Sequence, residues 1–221
     1  MQTIFQTITY INLQSSVARN AAMKAINITD KHGRLPQRFH ALTGEQIDVS
    51  VQQIAGQLSN GERGCFASHR AVWKQLALLD GGLHLILEDD IIIQKDLSRL
   101  PIIAEHDDTP ILVYLGHANF SNNKAQVSGT VLNHIHSDLY QASNCWLTHA
   151  YAINPAMARK GLEFTSIMRG SIDQHLVAWQ DKHPAYAIIP NAIGQRRVTK
   201  QNPSTIRHTI RGHVNIDDLL L

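Results

Sequence analysis

Cysteine is scarce in this sequence, and its scarcity excludes one class of protein. The chain has 221 residues but only two cysteines, Cys65 and Cys145. Two cysteines cannot build the disulfide framework that stabilises small secreted domains. Cys65 falls within an apolar helical pattern, and we expect both thiols to be reduced.

Long apolar runs and a dominant charge are also missing. No segment reaches the ~18 uninterrupted apolar residues that a bilayer-spanning helix needs, and the first residues lack the basic region and apolar core of a secretion signal. The formal net charge of +2 is too small to indicate nucleic acid as the partner. We therefore expect a cytoplasmic protein without a transmembrane segment, with peripheral contact at the inner membrane left open.

Histidine, by contrast, is abundant, yet its placement favours neither zinc nor hydrolysis. Most of the 13 histidines lie apart from one another, without the spacing of zinc ligands. Ser68 and His69 are neighbours, but adjacent residues of a helix point about 100° apart and cannot pair as nucleophile and base.

An apolar run that ends in three consecutive carboxylates carries the densest negative charge of the sequence. Residues 83–87 follow the Gly81-Gly82 turn and are typical of a strand buried on both faces. Glu88, Asp89 and Asp90 come next, where open α/β sheets bind their ligands. Clustered carboxylates together with substrate phosphates are ligands for Mg²⁺ or Mn²⁺. The sequence predicts a divalent-cation site here, and a solvated acidic turn is the alternative.

Strand and helix patterns alternate along the chain and predict an α/β fold. We expect strands at 4–13, 38–42, 83–87, 110–116, 145–153 and 185–189, and helices at 16–30, 62–79, 155–163 and from 171 onward. A weak helical pattern covers 49–58, residues 119–123 are turn-like, and residues 127–132 are typical of a hairpin. The opening strand–helix–strand unit predicts an open, mostly parallel sheet flanked by helices.

Two charged features have a role that the pattern leaves open. Asp173 falls in the first turn of the last helix, where an acid favours the helix dipole whether or not it takes part in chemistry. Residues 196–221 form a polar, basic arm that includes Arg196, Arg197, Lys200, Arg207 and Arg211. This arm is either solvated or folds over an anionic ligand.

A series of short motifs runs in order along nearly the whole chain. They are Ile11-Asn12-Leu13 with Arg19, Phe39-His40-Ala41 with Gly44, residues 61–69 with Trp73, residues 85–90, residues 148–151, and Ile172-Asp173. Together these motifs resemble glycosyltransferase family 25, which comprises bacterial lipooligosaccharide galactosyltransferases and, more distantly, procollagen galactosyltransferases.

The resemblance implies a fold and a reaction. The fold is of the GT-A type, with a Rossmann-like nucleotide-sugar half at 1–116, an acceptor-side half at 117–195 and the basic arm at 196–221. The reaction is transfer of galactose from UDP-galactose, with inversion to a β-linkage, onto a glycan acceptor of lipooligosaccharide or lipopolysaccharide.

Roles for individual residues follow from the same resemblance. Glu88 and Asp90 are expected to hold Mn²⁺ or Mg²⁺ on the donor diphosphate, with Asp89 reaching the ribose. Asp173 matches the family's helix-start aspartate and is the expected general base. The expected donor-binding residues are Asn12, Leu13, Arg19, Thr43, Gly44, Ser68, His69 and Asp89, and the expected acceptor-binding residues are His149 and Tyr151.

Two other functions stay open at the level of sequence. Acidic strand ends serve phosphate chemistry broadly, so a metal-dependent phosphohydrolase acting on a sugar nucleotide is one alternative. The other is a catalytically silent glycan-binding protein that keeps the fold only.

Overall fold

A computed structural model describes residues 1–47, 52–53, 58–101, 108–121, 124–125 and 134–196. The helices in these ranges are α1 (Val17–Lys24), α2 (Asn60–Leu76), α3 (Pro155–Phe164) and α4 (Ile172–Gln180), with short 3-10 helices at Gly44–Gln46 and Leu97–Arg99. The strands are β1 (Thr7–Asn12), β2 (Gln37–His40), β3 (Gln52–Gln53), β4 (His84–Glu88), β5 (Ile91–Ile93), β6 (Leu112–Ser121), β7 (Lys124–Ala125), β8 (His134–His136), β9 (Leu139–Gln141), β10 (Cys145–Ile153), β11 (Ile167–Met168), β12 (Tyr186–Ile188) and β13 (Ile193–Gln195).

A nine-stranded mixed sheet forms the centre of the fold. Its order is β2-β1-β4-β10-β6-β12-β9-β8, with β7 paired to β6. β1 runs parallel to β2 and β4, and β6 runs parallel to β12, whereas β10 is antiparallel to both of its neighbours. The expected α/β sheet flanked by helices is confirmed. Because β10 lies between β4 and β6, strands from both predicted halves of the chain share this sheet.

Strand β4 is buried on both faces, as its sequence predicts. Ile86 packs into the core that contains Trp73 of α2, whereas Leu85 and Leu87 face the opposite core, which contains Met23 of α1. Successive side chains of a strand point to opposite faces, so an unbroken apolar run fits a strand covered on both sides. The acidic residues begin at the last position of this strand.

Helix α1 is shorter than its sequence pattern suggests. The apolar spacing extends to residue 30, but the helix ends at Lys24. The backbone N–H of Thr3 donates to the Thr29 carbonyl, and the Thr29 N–H donates to the Met1 carbonyl, both at 2.9 Å. The β-branched segment before residue 30 therefore pairs with the N-terminal segment instead of continuing the helix.

Helix α2 starts earlier than expected, because Ser59 caps it. Asn60 and Gly61, which precede the helix expected from residue 62, are its first residues. The Glu62 N–H donates to Ser59 Oγ at 3.2 Å, and the Ser59 N–H donates to Glu62 Oε2 at 2.8 Å. This reciprocal pair is a capping box, which satisfies backbone donors that a helix start otherwise leaves unpaired.

The remaining predicted elements have mixed outcomes. The strands expected at 145–153 and 185–189 and the helices expected at 155–163 and after 171 are confirmed within a few residues. Strand β6 continues to Ser121, so the turn expected from residue 119 is wrong up to that point. The predicted hairpin, most of the weak helix at 49–58 and the basic arm beyond Arg196 lie outside the described residues. Across the described ranges, no helix is long and apolar enough to cross a bilayer.

Asn154 joins the start of α3 to the start of β6, and this junction gives a stability prediction. Its Oδ1 accepts from the backbone N–H groups of Met157 (2.9 Å) and Ile111 (3.0 Å), and its Nδ2 donates to the Thr109 carbonyl (2.7 Å). We expect Asn154→Ala to lower the free energy of unfolding by roughly 2–4 kcal/mol, because a helix cap is lost together with one buried and one partly buried hydrogen bond. Urea unfolding measures this change.

The matched control is Asn27→Ala, because Asn27 is an exposed asparagine. A surface substitution of this kind changes stability by less than about 0.5 kcal/mol. Equal stabilities for the two variants would contradict the role given to Asn154.

Candidate active site

A cavity of about 380 Å³ opens beyond the carboxyl ends of β1 and β4. Its wall contains the acidic turn at 88–90, the first half of α2 and the start of α4. The volume lies within the ~300–1,000 Å³ typical of small-molecule sites. The position is the one where open α/β sheets bind their ligands, outside the strand ends.

The acidic turn is fixed in place by the strand that follows it. β5 begins at Ile91 and pairs antiparallel with β13, with Ile91 opposite Gln195. The backbone N–H of Arg196 donates to the Asp90 carbonyl at 2.6 Å. The turn is therefore tied at both ends, to the central sheet through β4 and to β13 through β5.

Asp89 is held by two donors from the first strand–helix unit. Asn12 Nδ2 donates to Asp89 Oδ2 at 2.5 Å, and Arg19 Nη1 donates to Oδ1 at 2.9 Å. Asn12 ends β1 and Arg19 lies in α1, so the opening strand–helix unit positions the middle carboxylate. Arg19 and Asp89 both line the cavity, whereas Asn12 supports the carboxylate from behind.

Glu88 takes its partners from α2 and β10. Thr148 Oγ1 donates to Glu88 Oε1 at 2.7 Å, and His69 Nε2 lies 3.6 Å from the same oxygen. Burial alone would raise the pKa of Glu88, but His69 and Thr148 outweigh it and hold that pKa below its usual value. Glu88 is therefore stabilised as a carboxylate.

Asp90 has the least compensated environment of the three acids. Gln195 Nε2 donates to its Oδ2 at 3.2 Å, but its buried Oδ1 has no hydrogen-bond partner among the described residues. Burial, followed by the neighbouring charge of Glu88, raises the pKa of Asp90 to about 7 against the partial compensation of Arg19. An unpartnered buried oxygen beside a second carboxylate suits a hard divalent cation, which binds through oxygen ligands.

His69 is oriented by a buried pair of aromatic residues. Its Nδ1 lies 2.8 Å from Tyr151 Oη, and Trp73 Nε1 donates to the same Oη at 2.8 Å. Tyr151 and Trp73 are both fully buried. Together they set the direction in which the second ring nitrogen of His69 faces Glu88.

The predicted donor-binding residues come together in space. Leu13, Arg19, Thr43, Gly44, Ser68, His69 and Asp89 all line the cavity. Ser68, however, uses its hydroxyl on the backbone: its Oγ donates to the Gly64 carbonyl at 2.6 Å and accepts from the Leu42 N–H at 2.8 Å. Its geometry is that of a residue that joins α2 to the loop after β2.

The two predicted acceptor-binding residues are placed differently. His149 lines the cavity, and its Nε2 lies 3.3 Å from the Ile193 carbonyl. Burial lowers the pKa of His149, and the nearby Glu88 carboxylate only partly offsets that effect. Tyr151 is 0% exposed, contacts His69 through its hydroxyl and does not line the cavity, so its role as an acceptor-binding residue stays a prediction.

Asp173 reaches the cavity from the first turn of α4. Its Oδ1 accepts from Ser171 Oγ and from the Gln174 N–H, the latter at 3.0 Å. The half-buried carboxylate is therefore fixed in orientation while it stays at the cavity wall. It faces the same space as the acidic turn.

Sequence reasoning missed three residues that the fold adds to the site, namely Cys65, Thr148 and Gln195. Thr148 and Gln195 arrive through strand pairing between distant parts of the chain. Thr148 lies in the motif at 148–151, but that motif assigned it no contact with Glu88, and no local pattern marks Gln195. The place of Cys65 beside His69 could have been predicted, because Cys65 stands four residues before His69 on α2 and residues at that spacing share a helix face.

Comparison with protein families gives one matching description. The family model described as Glycosyltransferase family 25 (LPS biosynthesis protein) matches residues 5–176. The match contains the acidic turn, the cavity-lining part of α2 and Asp173.

Individual relatives match part of this chain and a smaller part of their own length. A cattle protein named probable inactive glycosyltransferase 25 family member 3 is 31% identical over 165 residues, which are 65% of this chain and 27% of that protein. The human inactive glycosyltransferase 25 family member 3 is 30% identical over 134 residues, 58% of this chain and 22% of the relative. Zebrafish procollagen galactosyltransferase 1 is 25% identical over 181 residues, which are 78% of this chain and 29% of that protein. The chain thus spans less than a third of the length of these relatives.

The environment of Asp90 makes stability depend on pH in a defined direction. Its pKa is raised from 3.8 to about 7 in the folded chain, so the folded state binds this proton more tightly than the unfolded state. The contribution of Asp90 to the free energy of unfolding therefore falls as pH rises from about 4 to about 7, by at most ~1.4 kcal/mol per pH unit. We expect Asp90→Asn to gain stability relative to wild type across this window, measured by thermal unfolding with a chelator present.

The control is Asp89→Asn, which removes charge one residue away. Because Asp89 accepts from Arg19 and Asn12, its substitution is expected to lower stability near pH 7 by roughly 1–3 kcal/mol. Parallel stability-versus-pH curves for wild type and Asp90→Asn would contradict the raised pKa of Asp90.

Proposed function

The chain belongs to glycosyltransferase family 25, and from that membership we propose that it transfers galactose from UDP-galactose to a saccharide of a bacterial lipooligosaccharide or lipopolysaccharide. The description of the family names LPS biosynthesis, and one relative is named a procollagen galactosyltransferase. The chain spans only part of these relatives, so donor, acceptor and inverting stereochemistry all belong to the proposal. The observation that carries it is the acidic turn at the wall of the cavity.

Glu88 and Asp90 are the residues proposed to hold a divalent cation, Mn²⁺ or Mg²⁺, at this turn. The unpartnered Oδ1 of Asp90 and the ionised Glu88 beside it support this assignment. When bound, such a cation supplies positive charge to the departing nucleotide diphosphate.

Asp89 and Arg19 are proposed to position the donor. Their mutual ion pair of 2.9 Å holds both side chains at the cavity wall. A carboxylate accepts hydrogen bonds from ribose hydroxyls, and a guanidinium donates to phosphate oxygens in a fixed geometry. The pair thus offers complementary groups to the two polar parts of a nucleoside diphosphate.

Asp173 is proposed to act as the general base. In a single inverting displacement the acceptor hydroxyl must lose its proton as it attacks the anomeric carbon, and a positioned carboxylate contributes about 10²–10⁴-fold to such a step. The bonds from Ser171 and Gln174 orient the Asp173 carboxylate at the cavity wall. Glu88 and Asp90 are assigned to the cation, which leaves Asp173 for proton transfer.

A catalytically silent glycan-binding protein is the second candidate, because two of the relatives carry names that call them inactive. The two functions share a fold and differ in turnover. Product analysis therefore separates them.

The decisive experiment is a transfer assay on the full chain. The protein is incubated with UDP-galactose, Mn²⁺ and a panel of saccharide acceptors, and products are identified by mass spectrometry. We expect an acceptor lengthened by one hexose, formed only with Mn²⁺ and abolished by chelator. Cleavage of UDP-galactose to UMP and galactose 1-phosphate, equally fast without acceptor, would indicate a phosphohydrolase, and donor binding without any product would indicate the silent protein.

Removing the charge of Glu88 tests the cation assignment. We expect Glu88→Gln to fold normally and to lose transfer activity by at least about a hundredfold at saturating Mn²⁺. The variant lacks a carboxylate ligand of the cation, and the cation stabilises the charge of the leaving group by several kcal/mol. The control is Asp80→Asn, an exposed acid that does not line the cavity. Near-normal turnover of Glu88→Gln would refute the assignment.

Asp173→Asn tests the general base. We expect unchanged donor affinity and Mn²⁺ dependence, with kcat at saturating acceptor lowered at least about a hundredfold. The control, Asp181→Asn, changes an exposed acid at the other end of α4, and its kcat should match wild type. If Asp173→Asn stays within a few-fold of wild type, Asp173 serves only as a helix-start charge.

A further inference from the structure

A second set of ligand atoms lies in the cavity wall, with a chemistry different from that of the acidic turn. Cys65 Sγ, a ring nitrogen of His69 and a carboxylate oxygen of Glu88 lie within 4.8 Å of one another. Cys65 and His69 are four residues apart on α2 and share a face of that helix, and Glu88 approaches from the end of β4. Two elements of the fold thus bring a thiol, an imidazole and a carboxylate close together in the cavity wall.

One ring nitrogen of His69 is available as a ligand in this cluster of side chains. His69 is 0% exposed, and its Nε2 has no hydrogen-bond partner in the part of the chain that the structure describes. Nε2 and Glu88 Oε1 are 3.6 Å apart. Around a tetrahedral zinc with bonds of about 2.0–2.3 Å, neighbouring ligand atoms lie roughly 3.4–3.7 Å apart. This pair already has the separation of two zinc ligands.

The surroundings of His69 also suit a metal ligand. A histidine that binds metal through one ring nitrogen usually donates a hydrogen bond from the other, which fixes the ring. Tyr151 Oη lies 2.8 Å from Nδ1 and is itself held by Trp73 Nε1. With the ring proton on Nδ1, His69 would donate to Tyr151 and present the lone pair of Nε2 to the cavity.

We propose that Cys65, His69 and Glu88 form a binding site for a borderline-soft divalent cation, zinc, with the fourth coordination position open to the cavity. Thiolate, imidazole and carboxylate are the donor groups that zinc accepts together, whereas Mg²⁺ and Mn²⁺ prefer oxygen ligands alone. Zinc binds the thiolate form of cysteine, so its binding would release the proton of the Cys65 thiol.

Glu88 connects this site to the proposed reaction. It serves the zinc site and the proposed Mn²⁺ site, so zinc removes a ligand from the cation that supports transfer. Zinc would therefore inhibit the enzyme. That consequence rests on the proposed function, whereas the zinc site itself rests only on the geometry of the three side chains.

Cobalt and zinc titrations of the chelator-treated full chain test the site without any sugar substrate. Co²⁺ bound to a thiolate gives a near-ultraviolet charge-transfer band, which reports the sulfur ligand directly. We expect wild type to show this band at one Co²⁺ per chain and to lose it when zinc is added. Zinc affinity, measured against a chromophoric chelator, should fall at least about tenfold in Cys65→Ser, since even residues behind metal ligands cost that much.

The matched control is Cys145→Ser, which changes the other cysteine. Cys145 is 0% exposed and its Sγ contacts the Ser143 carbonyl, away from the cavity wall. This variant should keep the cobalt band and the zinc affinity of wild type. Absence of the band in wild type, its survival in Cys65→Ser, or its loss in a folded Cys145→Ser would each overturn the proposal. The wild-type spectrum decides the question even if Cys65→Ser does not fold.

Discussion

Repulsion among three neighbouring carboxylates is the constraint on which the rest of the site depends. Glu88, Asp89 and Asp90 stand together at the end of a buried strand, where water screens their charges poorly. Each carboxylate has its own polar partners. Glu88 lies beside a hydroxyl and an imidazole, Asp89 beside an amide and a guanidinium, and Asp90 beside the Gln195 amide. Asp90 is the least well compensated of the three, since burial and the charge of Glu88 raise its pKa to about 7. A bound cation would supply the missing compensation.

The mixed sheet explains how these partners reach one place. Its parallel part, β2-β1-β4, puts the ends of β1 and β4 side by side, so Asn12 stands next to the acidic turn. The antiparallel strand β10 then carries Thr148 and His149 to the same edge, and the pairing of β5 with β13 adds Gln195. Donors from positions 60 and 105 residues away along the chain thus meet the carboxylates.

The sequence predicted the parts of this site that local patterns encode. The apolar run before Glu88 predicted a strand buried on both faces, and the pattern from residue 171 onward predicted the helix that carries Asp173 in its first turn. It did not predict the early end of α1, because backbone bonds between Thr29 and the N-terminal segment override a helical apolar pattern. It also missed Thr148 and the nearness of Cys65 to Glu88, since both depend on the packing of β10 and α2 against β4.

The central claim is that Glu88 and Asp90 hold a divalent cation beside a nucleoside diphosphate. Crystals of the chain grown with UDP and Mn²⁺, and measured at the manganese absorption edge, test it most directly. The account predicts an anomalous-scattering peak in the cavity, bonded to a carboxylate oxygen of Glu88 and of Asp90 and to the diphosphate. UDP bound in the cavity without such a peak, or with manganese held by other side chains, would contradict it.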